Sequence, residues 1–203
     1  MTARISRSFT FQAGVHFNNI FNMNLYQVDM DFDVESESIR EQNIAVERIK
    51  YFLAECLEHS VMLSETETDA IQKYVDAELK VCTLPEEPYD QIIGIMLMVK
   101  LNAIIEGRLL ITSIGITSRM SDGVYCHHDI DENIGPFKDI GWWSDNSTKM
   151  NNVKPNRSKK VVKLIKPNVT WDDLFLGWDE NNFSYTGPSS EIVFVEFDSK
   201  TDK

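Results

Sequence analysis

Three places in the sequence carry side chains that could do chemistry. Glu58 and His59 are adjacent at the end of an apolar-periodic segment, where a carboxylate beside an imidazole is a way to orient a general base. The same spot, at the negative end of a helix dipole, equally suits a partly positive imidazole with no catalytic part, and both readings stay open. His16, near the end of an alternating stretch, reads either as a contact to a bound heterocycle or as an ordinary hydrogen-bonded histidine. Cys126, His127, His128 and Asp129, with Asp131 nearby, are ligand types that zinc or iron accepts. In a strand, however, Cys126 and His128 point one way while His127 and Asp129 point the other. No metal site is therefore expected, with Cys126 and His128 the pair to watch.

Lys149, Lys154, Arg157, Lys159, Lys160, Lys163 and Lys166 concentrate positive charge, reading as a solvated loop or as a dock for phosphate or an acidic partner. Trp142, Trp143, Trp171 and Trp178 suit either a ligand cleft or the packing of a C-terminal extension. No glycine-rich phosphate loop and no Ser-His-Asp arrangement of recognisable spacing is present.

The elements that must position these residues follow from periodicity. Residues 7–17 and 25–34 alternate apolar and polar, as half-buried strands do, and the Asn-rich link 18–24 makes them a hairpin. Ser38 and Glu41 form a capping box ahead of Val46, Ile49, Leu53, Cys56 and Leu57 at helical spacing. Ser64 and Glu67 repeat the box before Ala70, Ile71, Tyr74, Val75 and Leu79, a more exposed helix. Pro85 and Pro88 open a third helix ended by Gly107 near residue 106; apolar on nearly every side, it belongs deep in a core or interface. Residues 108–118 and 124–130 read as strands joined through Ser121-Asp122-Gly123. Beyond a polar stretch at 144–160 come a strand at 161–165, a short helix at 172–177 and a strand at 192–197.

Composition bounds the function. A formal net charge of -12 makes unspecific binding to nucleic acid or anionic lipid unfavourable, because the summed field repels polyanions. Three widely spaced cysteines argue against a disulfide framework and for a reducing compartment, and no apolar run is long enough for a secretion signal or a membrane span. A cytoplasmic protein is expected.

The element order, with the segments FTFQAGVHF, NMNLYQVDM, CLEHSVML and EEPYDQIIGIM, resembles the 6-pyruvoyl- and 6-carboxy-tetrahydropterin synthases of the tunnelling fold, over about residues 6–125. That family pairs a Phe-x-Ala-x-His strand end with a His-x-His start to hold zinc. Here one extra residue separates Ala13 from His16, and the paired positions fall on Asn22 and Asn24, whose carboxamides are poor zinc ligands. The family's nucleophilic cysteine has no counterpart in 17–23, its relay histidine matches Leu57-Glu58-His59, and its ring-anchoring Glu-Thr pair falls on Thr117-Ser118.

The resemblance implies an α+β domain over 1–140 with a four-stranded antiparallel sheet in the order β-β-α-α-α-β-β and helices on one face. Residues 141–203 would form a loop and a small β-α-β extension on the same core. It further implies a homo-oligomer whose pockets, between subunits, take a pterin- or purine-type heterocycle lined by His16, Asn22, Asn24 and Thr117. If there is turnover, it is of the synthase's lyase type, with His59 and Glu58 moving the proton; zinc would be the family's cofactor, but its ligands are incomplete. The competing expectation is a non-catalytic, acidic assembly protein holding a macromolecular partner.

Overall fold

The computed structural model describes residues 4–34, 37–138, 140–153, 170–171 and 174. In chain order the elements are β1 (Arg4–Phe17), β2 (Ile20–Asp33), α1 (Ile39–Tyr51), β3 (Val61–Ser64), α2 (Thr68–Asp76), β4 (Val81–Leu84), α3 (Asp90–Ile105), β5 (Leu110–Ser118) and β6 (Cys126–Asp129). The strands form one mixed sheet in the order β4-β3-β1-β2-β5-β6.

The long hairpin β1-β2 is its spine. Asn18 and Asn19, with φ of 50° and 60°, make a two-residue turn whose twist matches the strands, and asparagine tolerates this left-handed backbone better than most residues. The link is therefore two residues long, and β2 starts at Ile20. Alternation then sorts the faces: Phe11, Ala13, Val15, Tyr26, Val28, Met30 and Phe32 turn into the core, while Ser6 and Ser8 donate to Asp31 and Asp29 on the outside. Between β5 and β6, Asp122 and Gly123 take φ of 52° and 84°, and Val124 N donates to Ser121 O at 3.0 Å, the turn that the Asp-Gly pair predicts.

Three expectations are corrected. The sheet has six strands and is mixed, because β3 and β4 add to the edge of β1 in parallel. Each is a four-residue run with every residue buried, so it lacks the alternation that marks a half-exposed strand. Nor do the helices share one face. α1 and α3 cover the main core, into which Met62, Cys82 and Leu84 point; α2 lies opposite, its Ile71 packed on Val61, Leu63 and Val81. Ser64 ends β3 rather than capping α2, which begins four residues later at Thr68.

Residues 141–153 pack onto the same core. Lys100, fully buried on α3, donates to Trp142 O at 2.7 Å and to Asp145 O and Oδ1 at 2.9 Å. Trp142 Nε1 donates to Thr83 O at 2.9 Å, and the edge of β4 is occupied by Met150 O, which accepts from Thr83 N at 3.0 Å, and by Asn151 Nδ2, which donates to Val81 O at 2.6 Å. The expected strand at 161–165, helix at 172–177 and strand at 192–197, and the basic residues from Lys154 onward, lie outside the described residues. Among the described residues, no helix is long and apolar enough to cross a membrane.

Candidate functional site

Strand parity decides which candidate side chains meet. Asn24 lies opposite Ala13 and Asn22 opposite Val15, so both asparagines share the core face of the hairpin, Asn22 at its exposed tip. His16 lies opposite Phe21, on the other face, where its ring meets Tyr74 of α2 edge-on at 5.6 Å and its Nδ1 is buried without a partner. The additional residue between Ala13 and His16 is the cause, since a shift of one position moves a strand side chain through the sheet. Val15 takes the core-facing place instead. Thr117 also faces outward and bonds Val124 O at 2.9 Å, while its neighbour Ser118 faces inward.

Glu58 and His59 sit between the π-helical segment Phe52–Leu57, which continues α1, and the start of β3. Glu58 Oε2 accepts from Gln12 N at 2.8 Å, and His59 N donates to Gln12 O at 2.7 Å, extending the β1-β3 ladder beyond the strand itself. His59 has φ of 59°, its side chain is 67% exposed, and its Nε2 lies 3.8 Å from Glu58 Oε1. Neither residue borders the cavity described next.

A cavity of about 350 Å³ opens where the core-side ends of β1, β2 and β5 meet the start of α3. Its apolar walls include Val15, Phe17, Tyr89 and Met120, with the rings of Phe17 and Tyr89 edge-to-face at 5.3 Å. Its polar groups are Asn24, Asp90, Ser118, Ser121 and Cys126. Asn24 Oδ1 is held by Leu25 N at 3.0 Å and Met120 N at 3.2 Å, which commits its oxygen and fixes the amide nitrogen as the donor end. Asp90 Oδ2 and Ser118 Oγ are both buried and neither has a hydrogen-bond partner. The hydroxyl of Tyr26, opposite Ser118 in the register of β2 and β5, is likewise unpartnered.

Burial pushes the Asp90 carboxyl above its usual range, against a smaller opposing pull from the Ser118 hydroxyl, which lies close enough to polarise it but not in hydrogen-bonding geometry. The Tyr26 phenol is pushed up too, chiefly by burial and further by the Asp90 charge, while Asn24 pulls it down. Cys126 is raised by burial and by Asp90, so it stands in the cavity wall as a neutral thiol. An unpartnered polar group inside a protein costs about 1–3 kcal/mol, so two in one cavity wall call for an explanation. Two other cavities, one of about 490 Å³ against Trp143 and one of about 420 Å³ beside Lys50, have no such group in their described linings.

The metal candidates separate as their alternation requires. Cys126 borders the cavity, and His128, buried one step along β6, places Nδ1 3.0 Å from Glu132 Oε2. His127 and Asp129 pair outside at 3.2 Å. Among the described residues, no three His, Cys, Asp or Glu side chains converge as a metal site would need.

Sequence reasoning named Ser118 only as part of the Thr117-Ser118 pair at the family's ring-anchoring position, and did not single out Asp90, Tyr26 or Tyr89. An acid in the first turn of a helix has an ordinary electrostatic explanation, which hides Asp90. The available signal was its context, a carboxylate opening a helix that is apolar on all sides.

No family model matches the chain, and no curated protein does. Among solved structures, an uncharacterised protein of Wolinella succinogenes is 10% identical, with a TM-score of 0.46, covering 64% of this chain and 99% of that one. A 6-pyruvoyl tetrahydropterin synthase of Plasmodium vivax is 13% identical with a TM-score of 0.41, and one of Plasmodium falciparum is 15% identical with a TM-score of 0.37; each comparison covers 64% of this chain and 99% of the other. At such TM-scores the site has to be read from its own residues.

Proposed function

We propose that this protein binds a small planar nitrogen heterocycle, of the pterin or purine kind, in the cavity beside Asp90. The observation that carries the reading is the pair Asp90 Oδ2 and Ser118 Oγ, buried and unpartnered at one apolar cavity. A ring edge carrying N–H beside C=O would give Asp90 and Ser118 their missing partners and accept from the Asn24 amide. A flat ring suits walls made by Phe17, Tyr89, Val15 and Met120, and about 350 Å³ is at the small end of ligand-pocket volumes.

The mouth is apolar and open: Tyr89, Met120 and Val124 are 57%, 55% and 58% exposed. Closure of that mouth by a second copy of the chain belongs to this reading, because exposed apolar side chains gathered at a pocket rim suit burial at an interface. The reading is one of binding. Proton transfer by His59 with Glu58 is a separate proposal, resting on their adjacency at 3.8 Å, and it requires a ligand that reaches beyond the described cavity lining.

The test is calorimetric titration of the purified protein with guanosine and neopterin, alongside native mass spectrometry for subunit number. Binding that weakens at least tenfold in Asp90→Asn supports the reading. Failure of both compounds to bind, or equal binding by the variant, would sink it.

The outward row Phe21, Met23 and Leu25, all exposed, favours a second reading, an assembly protein that holds a macromolecular partner on that face. A substitution such as Met23→Glu would then abolish partner capture without touching heterocycle binding.

A further inference from the structure

The charges around the cavity bear on the form in which a ligand can enter, an inference that rests on the heterocycle reading. Of the described residues lining it, Asp90 alone has an ionisable carboxylate, and none is Lys, Arg or His. The nearest cation along the chain, Arg119, is exposed and outside the lining, although its neighbours Ser118 and Met120 belong to it.

A phosphate at a protein surface is held by cationic side chains or by the free N–H groups of a helix start. Here the helix start is that of α3, and Asp90 is its first residue. The carboxylates of Glu86 and Glu87 precede it within four positions, and Glu87 Oε2 is itself buried without a partner. Three carboxyl groups therefore fall within the five residues that lead into the positive end of the helix dipole. The whole chain, at a formal charge of -12, adds a repulsive field for any polyanion approaching the mouth.

We infer that the cavity selects an unphosphorylated ring, a free base, nucleoside or unphosphorylated pterin, and rejects the corresponding nucleotide. The neutral ring edge finds Asp90, Ser118 and Asn24 in place, whereas a phosphate appended to it meets no cationic side chain among the described lining residues, but the Asp90 carboxyl, neutral polar groups and apolar side chains. One added negative charge within a few ångströms of a partly buried carboxylate weakens binding by about tenfold or more.

Equilibrium titrations with guanosine, GMP and GTP, repeated with neopterin and neopterin monophosphate, test this. The expected result is binding of guanosine or neopterin, with GMP and neopterin monophosphate at least about tenfold weaker, GTP weaker still, and a gap that narrows in high salt. Asp90→Asn should shrink the ratio between guanosine and GMP, and Met120→Lys, which adds a cation at the rim, should raise the affinity for GMP relative to guanosine. Nucleotides that bind as well as guanosine, or better, would overturn the inference while leaving the heterocycle reading intact. If neither nucleosides, pterins nor nucleotides bind, the heterocycle reading fails and takes this inference with it.

Discussion

Tyr26 and Ser118 stand opposite each other where β2 pairs with β5, and neither hydroxyl has a hydrogen-bond partner. Together with Asp90 they gather three of the chain's buried, unsatisfied polar groups in one corner of the core, each from a different element. A fold selected only for stability would have paired or replaced them, since a buried hydroxyl without a partner is worse than a methyl.

Ser118→Ala should therefore raise stability while lowering affinity. Removing an unpaired hydroxyl is expected to add about 1 kcal/mol to the unfolding free energy, and heterocycle binding should weaken several-fold. Chemical denaturation and titration on the same preparation check both signs; a variant less stable than the parent would show that Ser118 has a structural partner after all.

Asp90 gives a dependence on pH. Its pKa is raised by burial, so the folded protein takes up a proton more readily than the unfolded chain. The ionised carboxylate then destabilises the fold, an effect absent below the ordinary carboxylate pKa and growing as pH rises through and above it until the folded group has also ionised. Asp90→Asn should accordingly raise the melting temperature at neutral pH and leave it unchanged near pH 3. Equal shifts at both values would mean that burial of the charge is not the cause.

His59 occupies the left-handed backbone region at φ of 59°, which costs a residue with a Cβ about 1–2 kcal/mol. Glycine takes this conformation freely but loses more entropy on folding, so His59→Gly should leave stability unchanged or raise it by up to about 1 kcal/mol. A ligand-binding or turnover defect in a variant of normal stability would identify the imidazole as functional.

Lys100→Met should cost about 2–3 kcal/mol, because the ammonium's three bonds fasten residues 142–145 to α3. Released from Lys100, Trp142 should shift its fluorescence to the red well before global unfolding. An unchanged emission spectrum across the transition would show that the aromatic packing of Trp142, Trp143 and Phe137 suffices without the lysine.

Much of the scaffold was legible because its elements announce themselves by period. β1 and β2 alternate over many residues, α3 is a single apolar run closed by Glu106 and Gly107 at positive φ, and Asp122-Gly123 adopts the turn its residues favour. Short strands were not legible: Val61–Ser64 and Val81–Leu84 are buried on both sides and offer no alternation to read. The site was legible at Asn24 on the hairpin and, through the family resemblance, at Thr117-Ser118, but not at Asp90. Ser118 and Asp90 are distant in sequence, and what brings them to one cavity is the packing of α3 on β5, which no local pattern records.

The strap over β4 limits how the sheet can grow. With Met150 and Asn151 already bonded to that edge, among the described residues β6 is the remaining outer strand open to pairing. A cyclic ring built by strand-to-strand addition needs two open edges on every subunit, one to give and one to receive. A two-fold pair needs only one, so on the edges of the described residues an assembly that extends this sheet stops at two chains, and a larger one would be built through faces instead.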